Sequence, residues 1–169
     1  MTAEFRSLPR VAGERETLLA FLEWQRATLA RKCAGLQAEQ MRRRAAAPST
    51  LSLLGLVRHM AEVERGWFRR TLAREDIPPV HPSDTDPDAD FNDVDAADVD
   101  EAFATWRAEC DLARAIVDAR GLDETGRQKS GEPVSLRWIL VHMIEEYSRH
   151  NGHADLLRER IDGETGYLP

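Results

Sequence analysis

Residues 135–161 read SLRWILVHMIEEYSRHNGHADLLRERI, and the spacing of the apolar residues in this stretch decides the fold class. Leu136, Ile139, Leu140, Met143, Tyr147, Ala154, Leu157 and Ile161 recur at steps of three and four. At about 100° per residue, such steps gather side chains on one helical face. Ser135 suits an N-cap, and Pro133 discourages helix any earlier. Glu146 and His150 fall in the same arc, one turn apart, which sets their Cβ atoms about 5–6 Å from each other. A carboxylate and an imidazole aimed together at a core are costly to bury unless something satisfies them. A divalent metal would.

Three more amphipathic segments precede this one. The first helix is expected over about 14–34, with Leu18, Leu19, Phe21, Leu22, Leu29 and Cys33 inward and Gly35 as its stop. The Arg- and Ala-rich run to Pro48 reads as a connection with some helical character. The second helix, about 50–73, takes Ser49 or Thr50 as cap and buries Leu53, Leu56, Val57, Met60, Val63 and Trp67. His59 lies on the edge of that stripe, and Ser52, Gly55 and Gly66 share its flank. Interior glycines cost about 1 kcal/mol each relative to Ala, so two on one flank ask for space. That space would serve either a closely approaching helix or a pocket beside His59.

The third helix, about 97–120, opens on Asp98 with Glu101 three residues on, in a loose capping-box pattern. Its inward residues are Val99, Phe103, Trp106, Cys110, Ala113 and Val117, and Gly121 ends it. A polar loop leads to the fourth helix, about 135–161, and the tail GETGYLP is expected on the surface.

Between the second and third helices, 75–95 holds four prolines and a string of aspartates. It cannot carry a regular helix through, and its charge resists burial, so His81 within it is expected in solvent. A connection of about 20 residues is unusual in a compact helical domain and suits a long crossover along a bundle. The expectation is therefore an all-α four-helix bundle, one domain spanning 1–169.

Composition narrows the function. The 169 residues carry a net charge of −7, with eleven acidic residues and no Lys or Arg from Glu75 to Trp106. Arg42, Arg43, Arg44, Arg69, Arg70 and Arg74 read as helix-end and solvated charges, not as a nucleic-acid surface. No apolar run reaches the roughly 18 residues that a membrane span needs, and MTAEFRSLPR has no secretory apolar core. Cys33 and Cys110 are far apart and outside CxxC spacing; they read as thiols of a cytoplasmic protein.

His59 on the second helix and Glu146 with His150 on the fourth are the candidate ligands, because bundle metal sites are built from inward side chains of facing helices. Two imidazoles and a carboxylate suit Zn²⁺ first, and also Ni²⁺, Co²⁺ or Fe²⁺. Three protein ligands leave a coordination position for water or substrate. The spacing equally allows a helix-edge histidine bonded to a neighbour and a surface i,i+4 pair worth a few tenths of a kcal/mol. His142 and His153 lie further round the fourth helix, with His153 a reserve ligand.

HMAEVERGWF around His59 and EEYSRHNGHADLLRE around His150 resemble the DinB-like proteins, closest to their mini-circle-type branch of unknown function. The resemblance runs from about Glu14 to Gly163. It implies an up-down-down-up bundle, often a homodimer, with a divalent metal at one end of the core. Many members carry three histidines, the last two spaced H-x-x-x-H. Here Glu146 stands at the first of those two places, as in the His, Glu, His set of mycothiol-dependent maleylpyruvate isomerase, an enzyme of that family. The resemblance thus points to a thiol-dependent S-transferase or isomerase. Its cosubstrate would be a low-molecular-weight thiol such as mycothiol or bacillithiol, and its substrate a small electrophile. Arg149 and Arg65 are candidates to hold an anionic cosubstrate. The alternatives are a metal-dependent hydrolase, with Glu62, Glu64 or Glu145 as base, and a non-catalytic module stabilised by its ion.

Overall fold

Three long helices start on a side chain that accepts a backbone N–H: Ser52 from Gly55, Asp98 from Glu101 and Ser135 from Trp138. Each such cap satisfies a donor that the helix itself leaves open and is worth about 0.5–2 kcal/mol. The computed structural model describes residues 8–81 and 85–166. Its helices are α1 (Glu14–Cys33), α2 (Ala38–Arg42), α3 (Leu53–Glu64), α4 (Ala89–Asn92), α5 (Val99–Asp118) and α6 (Leu136–Asp162). A π-helical segment, Arg65–Leu72, continues α3. The protein is mostly helical, as the periodicity predicts; the only strands among the described residues are β1 (Thr125–Arg127) and β2 (Pro133–Ser135), paired antiparallel. The terminal residues of the tail, 167–169, lie outside the described residues.

α1 packs on α6, α5 packs on α3 and its π extension, and α3 also meets α6. Leu22 and Leu29 from α1, Leu53, Leu56, Val57 and Met60 from α3, and Ile139, Leu140, Met143 and Tyr147 from α6 share one buried cluster with Trp106 and Val117 of α5. Fully burying such side chains contributes about 1.5–3 kcal/mol each. The positive φ of Gly35 follows α1, and that of Gly163 closes α6.

A polar layer crosses this core. Arg26 (α1) donates through Nε and Nη2 to the two carboxylate oxygens of Glu64 (α3), at 2.8 and 2.6 Å. Tyr147 (α6) donates to Glu64 Oε1 at 2.7 Å and accepts from Trp106 Nε1 (α5) at 2.8 Å. Four helices thus meet in one buried network, with Arg26 4 % and Glu64 1 % exposed. A buried charge is tolerated only when paired and hydrogen-bonded, and here both are.

Several expectations change. Phe21 is exposed, because α1 turns Leu22, Arg26 and Leu29 inward instead. Ser52, not Ser49 or Thr50, caps the second helix. Gly55 serves close approach, since a Cβ there would stand 3.0 Å from the Phe91 ring, whereas one on Gly66 would meet nothing within 4 Å. The third helix closes at Ala119, ahead of Gly121. The acidic connection is not uniformly solvated: Ala89, Asp90 and Val94 are buried, and α4 lies against α3. Arg58 holds it there by donating to the carbonyls of Ala89 and Asp90. His81 is half-buried with Nε2 lacking a partner, and burial with the nearby Arg58 pushes its pKa down to about 4. Nor are the arginines idle: Arg42 donates to the carbonyl of Ala97, Arg44 to Asp95, Arg69 to Glu75 and Glu109, and Arg70 to Glu62.

Candidate metal centre

Glu146 and His150 are neighbours because one helical turn separates them, and the packing of α3 against α6 brings His59 to them. The three residues each offer one ligand atom, all within 4.8 Å of one another. The rings of His59 and His150 lie edge to face with centroids 4.7 Å apart, and His150 Nε2 stands 3.4 Å from Glu146 Oε2. Two donors on one ion at about 2.0–2.1 Å are at most about 4.2 Å apart, so the set needs only a small rotamer adjustment to share one. All three side chains are half-buried, which leaves an approach from solvent.

The surroundings suit ligation. Asp90 Oδ2 lies 2.7 Å from His59 Nδ1, and Phe91 stacks on the same ring with centroids 4.9 Å apart. A carboxylate can only accept, so His59 Nδ1–H donates and Nε2 keeps its lone pair for another partner. That arrangement, a histidine oriented by a carboxylate behind it, is the usual support of a metal-ligating imidazole. Burial, together with His59, His153 and Arg149 nearby, pushes His150 down to about 4, so its ring is neutral at neutral pH as ligation requires.

The remaining candidates sort themselves by position. His153 Nδ1 faces His150 Nδ1 at 3.4 Å, on the side of that ring away from Glu146, and is not one of the three convergent donors. His142 Nε2 is 3.6 Å from Glu146 Oε1, and its Nδ1 is 3.5 Å from Glu145 Oε2. Arg65 is committed to Glu109 at 2.6 Å, and Arg149 is exposed and paired with Glu145. Among the candidate bases, Glu64 is locked into the core network and Glu62 accepts from the backbone N–H of Val80 and from Arg70. Glu145 is tied to Arg149. Asp90 was not legible in the sequence. It is one of eleven acidic residues between 75 and 106, and nothing in the spacing marks it as the one that turns inward.

Two imidazoles and a carboxylate gathered between two packed helices define a helical protein with a candidate divalent-cation centre. The chain belongs to the mycothiol-S-transferase family, a DinB-like family, which it matches over residues 17–163. No curated protein matches it. No helix of the described residues is long and apolar enough to cross a membrane.

Proposed function

We propose that the protein is a metal-dependent S-transferase that joins a low-molecular-weight thiol of the mycothiol type to a small electrophile. The observation that carries this reading is the convergence of His59, Glu146 and His150 in a chain of the mycothiol-S-transferase family. These three residues would hold the ion, zinc in the first instance. When bound, such an ion supplies a thiol sulfur in its thiolate form at neutral pH.

The sulfur must come from outside the chain. Cys33 and Cys110 are both buried and free, and burial pushes Cys33 up to about 12 and Cys110 also upward. Neither offers a thiolate near pH 7. The transfer balances without a redox partner. A carbon–sulfur bond forms from the sulfur pair, the bond from carbon to the leaving group breaks, and the thiol proton goes to solvent. With an epoxide or activated olefin nothing leaves, and that proton ends on oxygen or carbon. The chain's own residues set up this step. Asp90 fixes the tautomer of His59, and burial keeps His150 neutral.

The same reading takes the segments 14–33, 53–72, 99–118 and 136–162 as an up-down-down-up four-helix bundle in one domain covering the chain. The packing of α1 on α6 and of α3 on both α5 and α6 supports it. It also takes the protein as a cytoplasmic homodimer, which the mass in solution tests. The function itself is tested by loading the purified chain with zinc and following loss of mycothiol against a panel of epoxides, activated olefins and halides. Thiol-dependent consumption that disappears in His150→Ala supports the reading. Consumption at the uncatalysed rate throughout removes it.

A further inference from the structure

Trp138, His142, Glu146 and His150 follow one another four residues apart on α6 and so form a single stripe along it. Their side chains make a continuous run of contacts. Glu146 stands between His150 and His142, at 3.4 and 3.6 Å. His142 stacks on Trp138, with centroids 4.9 Å apart and planes at 19°. Trp67 closes the group from the other side, 4.7 Å from the His142 ring and 5.3 Å from Trp138. Exposure grows along the stripe: the side chains of His150, Glu146 and His142 are 12 %, 21 % and 22 % exposed, and Trp138 is 47 % exposed.

Trp67 does not reach this place through an ordinary α-helical turn. It lies in the π-helical segment, where Ala73 N–H bonds back five residues to Phe68 O. Each extra residue in a turn rotates the remainder of the helix about its axis, and such segments recur at functional positions. The β-hairpin sits directly on this segment: a Cβ on Gly126 would be 2.2 Å from Thr71 O and 2.6 Å from Leu72 Cα. The π-helical segment and α6 therefore bring two indoles together around His142, which itself adjoins Glu146. A half-exposed Trp stacked on a second ring is a flat apolar surface with a polar end, the kind that takes another planar group.

We propose that Trp138, Trp67 and His142 form the subsite for the electrophile and select molecules with a planar aromatic or conjugated portion. This rests on the transfer reading above. The subsite begins one turn from Glu146 and ends two turns away, about 6–12 Å along the helix axis. The preferred substrate thus carries its planar group a short way from its reacting atom, and small aliphatic electrophiles lack the part that Trp138 recognises.

The test is calorimetric titration of metal-free protein with 1,3-dinitrobenzene, a planar ring with no reacting centre. Neither metal nor thiol enters this measurement, so its outcome is independent of whether transfer occurs. The expected result is saturable binding of one molecule per chain, weakened about three- to tenfold in Trp138→Leu, the range that an aromatic stacking contact supports. Trp138→Phe, which keeps a ring, should stay within about twofold of the parent on the same scale. Leu156→Ala, exposed on the same helix, should bind as the parent does. Indole quenching in the parent should follow the same midpoint, giving a second readout should the leucine variant fold poorly. Absence of saturable binding, parent-like binding by Trp138→Leu, or an equal loss in Leu156→Ala would overturn the proposal.

Discussion

The Nδ1 of His59 and the Oδ2 of Asp90 lie 2.7 Å apart, joining α3 to a buried carboxylate of the acidic connection. Asp90 is 3 % exposed and also receives the Phe91 backbone N–H through Oδ1. Asp90→Asn keeps the shape but can donate to His59 Nδ1, which moves the ring proton to Nε2 and removes the lone pair offered to an ion. Zinc affinity, measured by competition with a chromophoric chelator, should fall about 10–100-fold. Parent-like affinity would show that Asp90 does not orient a ligand.

The Glu64 network is structural. Glu64→Gln takes from Arg26 its buried charge partner, leaving it only the half-exposed Glu23, and should cost about 3–5 kcal/mol in urea unfolding. Tyr147→Phe removes one donor to Glu64 and the acceptor of Trp106, and should cost less, about 1–3 kcal/mol. The reverse order would mean that the ion pair is not what holds this layer.

Both cysteines should resist an aromatic disulfide reagent in the folded protein at neutral pH and react, two per chain, in denaturant. Burial and the raised pKa of each act in the same direction. Rapid reaction of either in the native state would reopen the question of an internal nucleophile.

Stability of the metal-free protein should fall on mild acidification. Burial pushes His81 and His150 down to about 4, aided by Arg58 at the first and by His59 at the second. In the unfolded chain each takes up its proton near about 6.5. Between those values the unfolded state binds more protons, so stability drops as pH falls through that window and levels off below it. His81→Gln should flatten the dependence of the urea midpoint on pH. An identical slope in parent and variant would remove His81 from the account.

Much of this was legible in the sequence, and the exceptions share a cause. The four long helical segments, the Asp98 and Ser135 caps and the inward Met60, Met143 and Tyr147 follow from periodicity and local capping chemistry. The approach of His59 to Glu146 and His150 follows from a histidine on the edge of one helical stripe and an i,i+4 pair within the inward arc of a facing helix. What escaped depends on contacts between elements distant in sequence. Asp90 turns inward because Arg58 seizes the backbone around it. The hairpin forms where Gly126 lets a strand approach the chain at Thr71. Arg26 is buried because Glu64, far along the chain, awaits it. The π-helical segment has no periodic signature in RGWFRRTL, since a single phase shift is invisible in so short a run.

The most direct measurement is zinc titration of metal-free parent, His59→Ala, Glu146→Ala and His150→Ala proteins, with thermal melting of each as a control for folding. The account predicts one tightly held ion per parent chain and a loss of at least about 100-fold in affinity for each single variant that still folds, since a three-ligand site cannot spare a donor. Undiminished binding by folded His59→Ala would contradict it, because the ion would then rest on α6 alone.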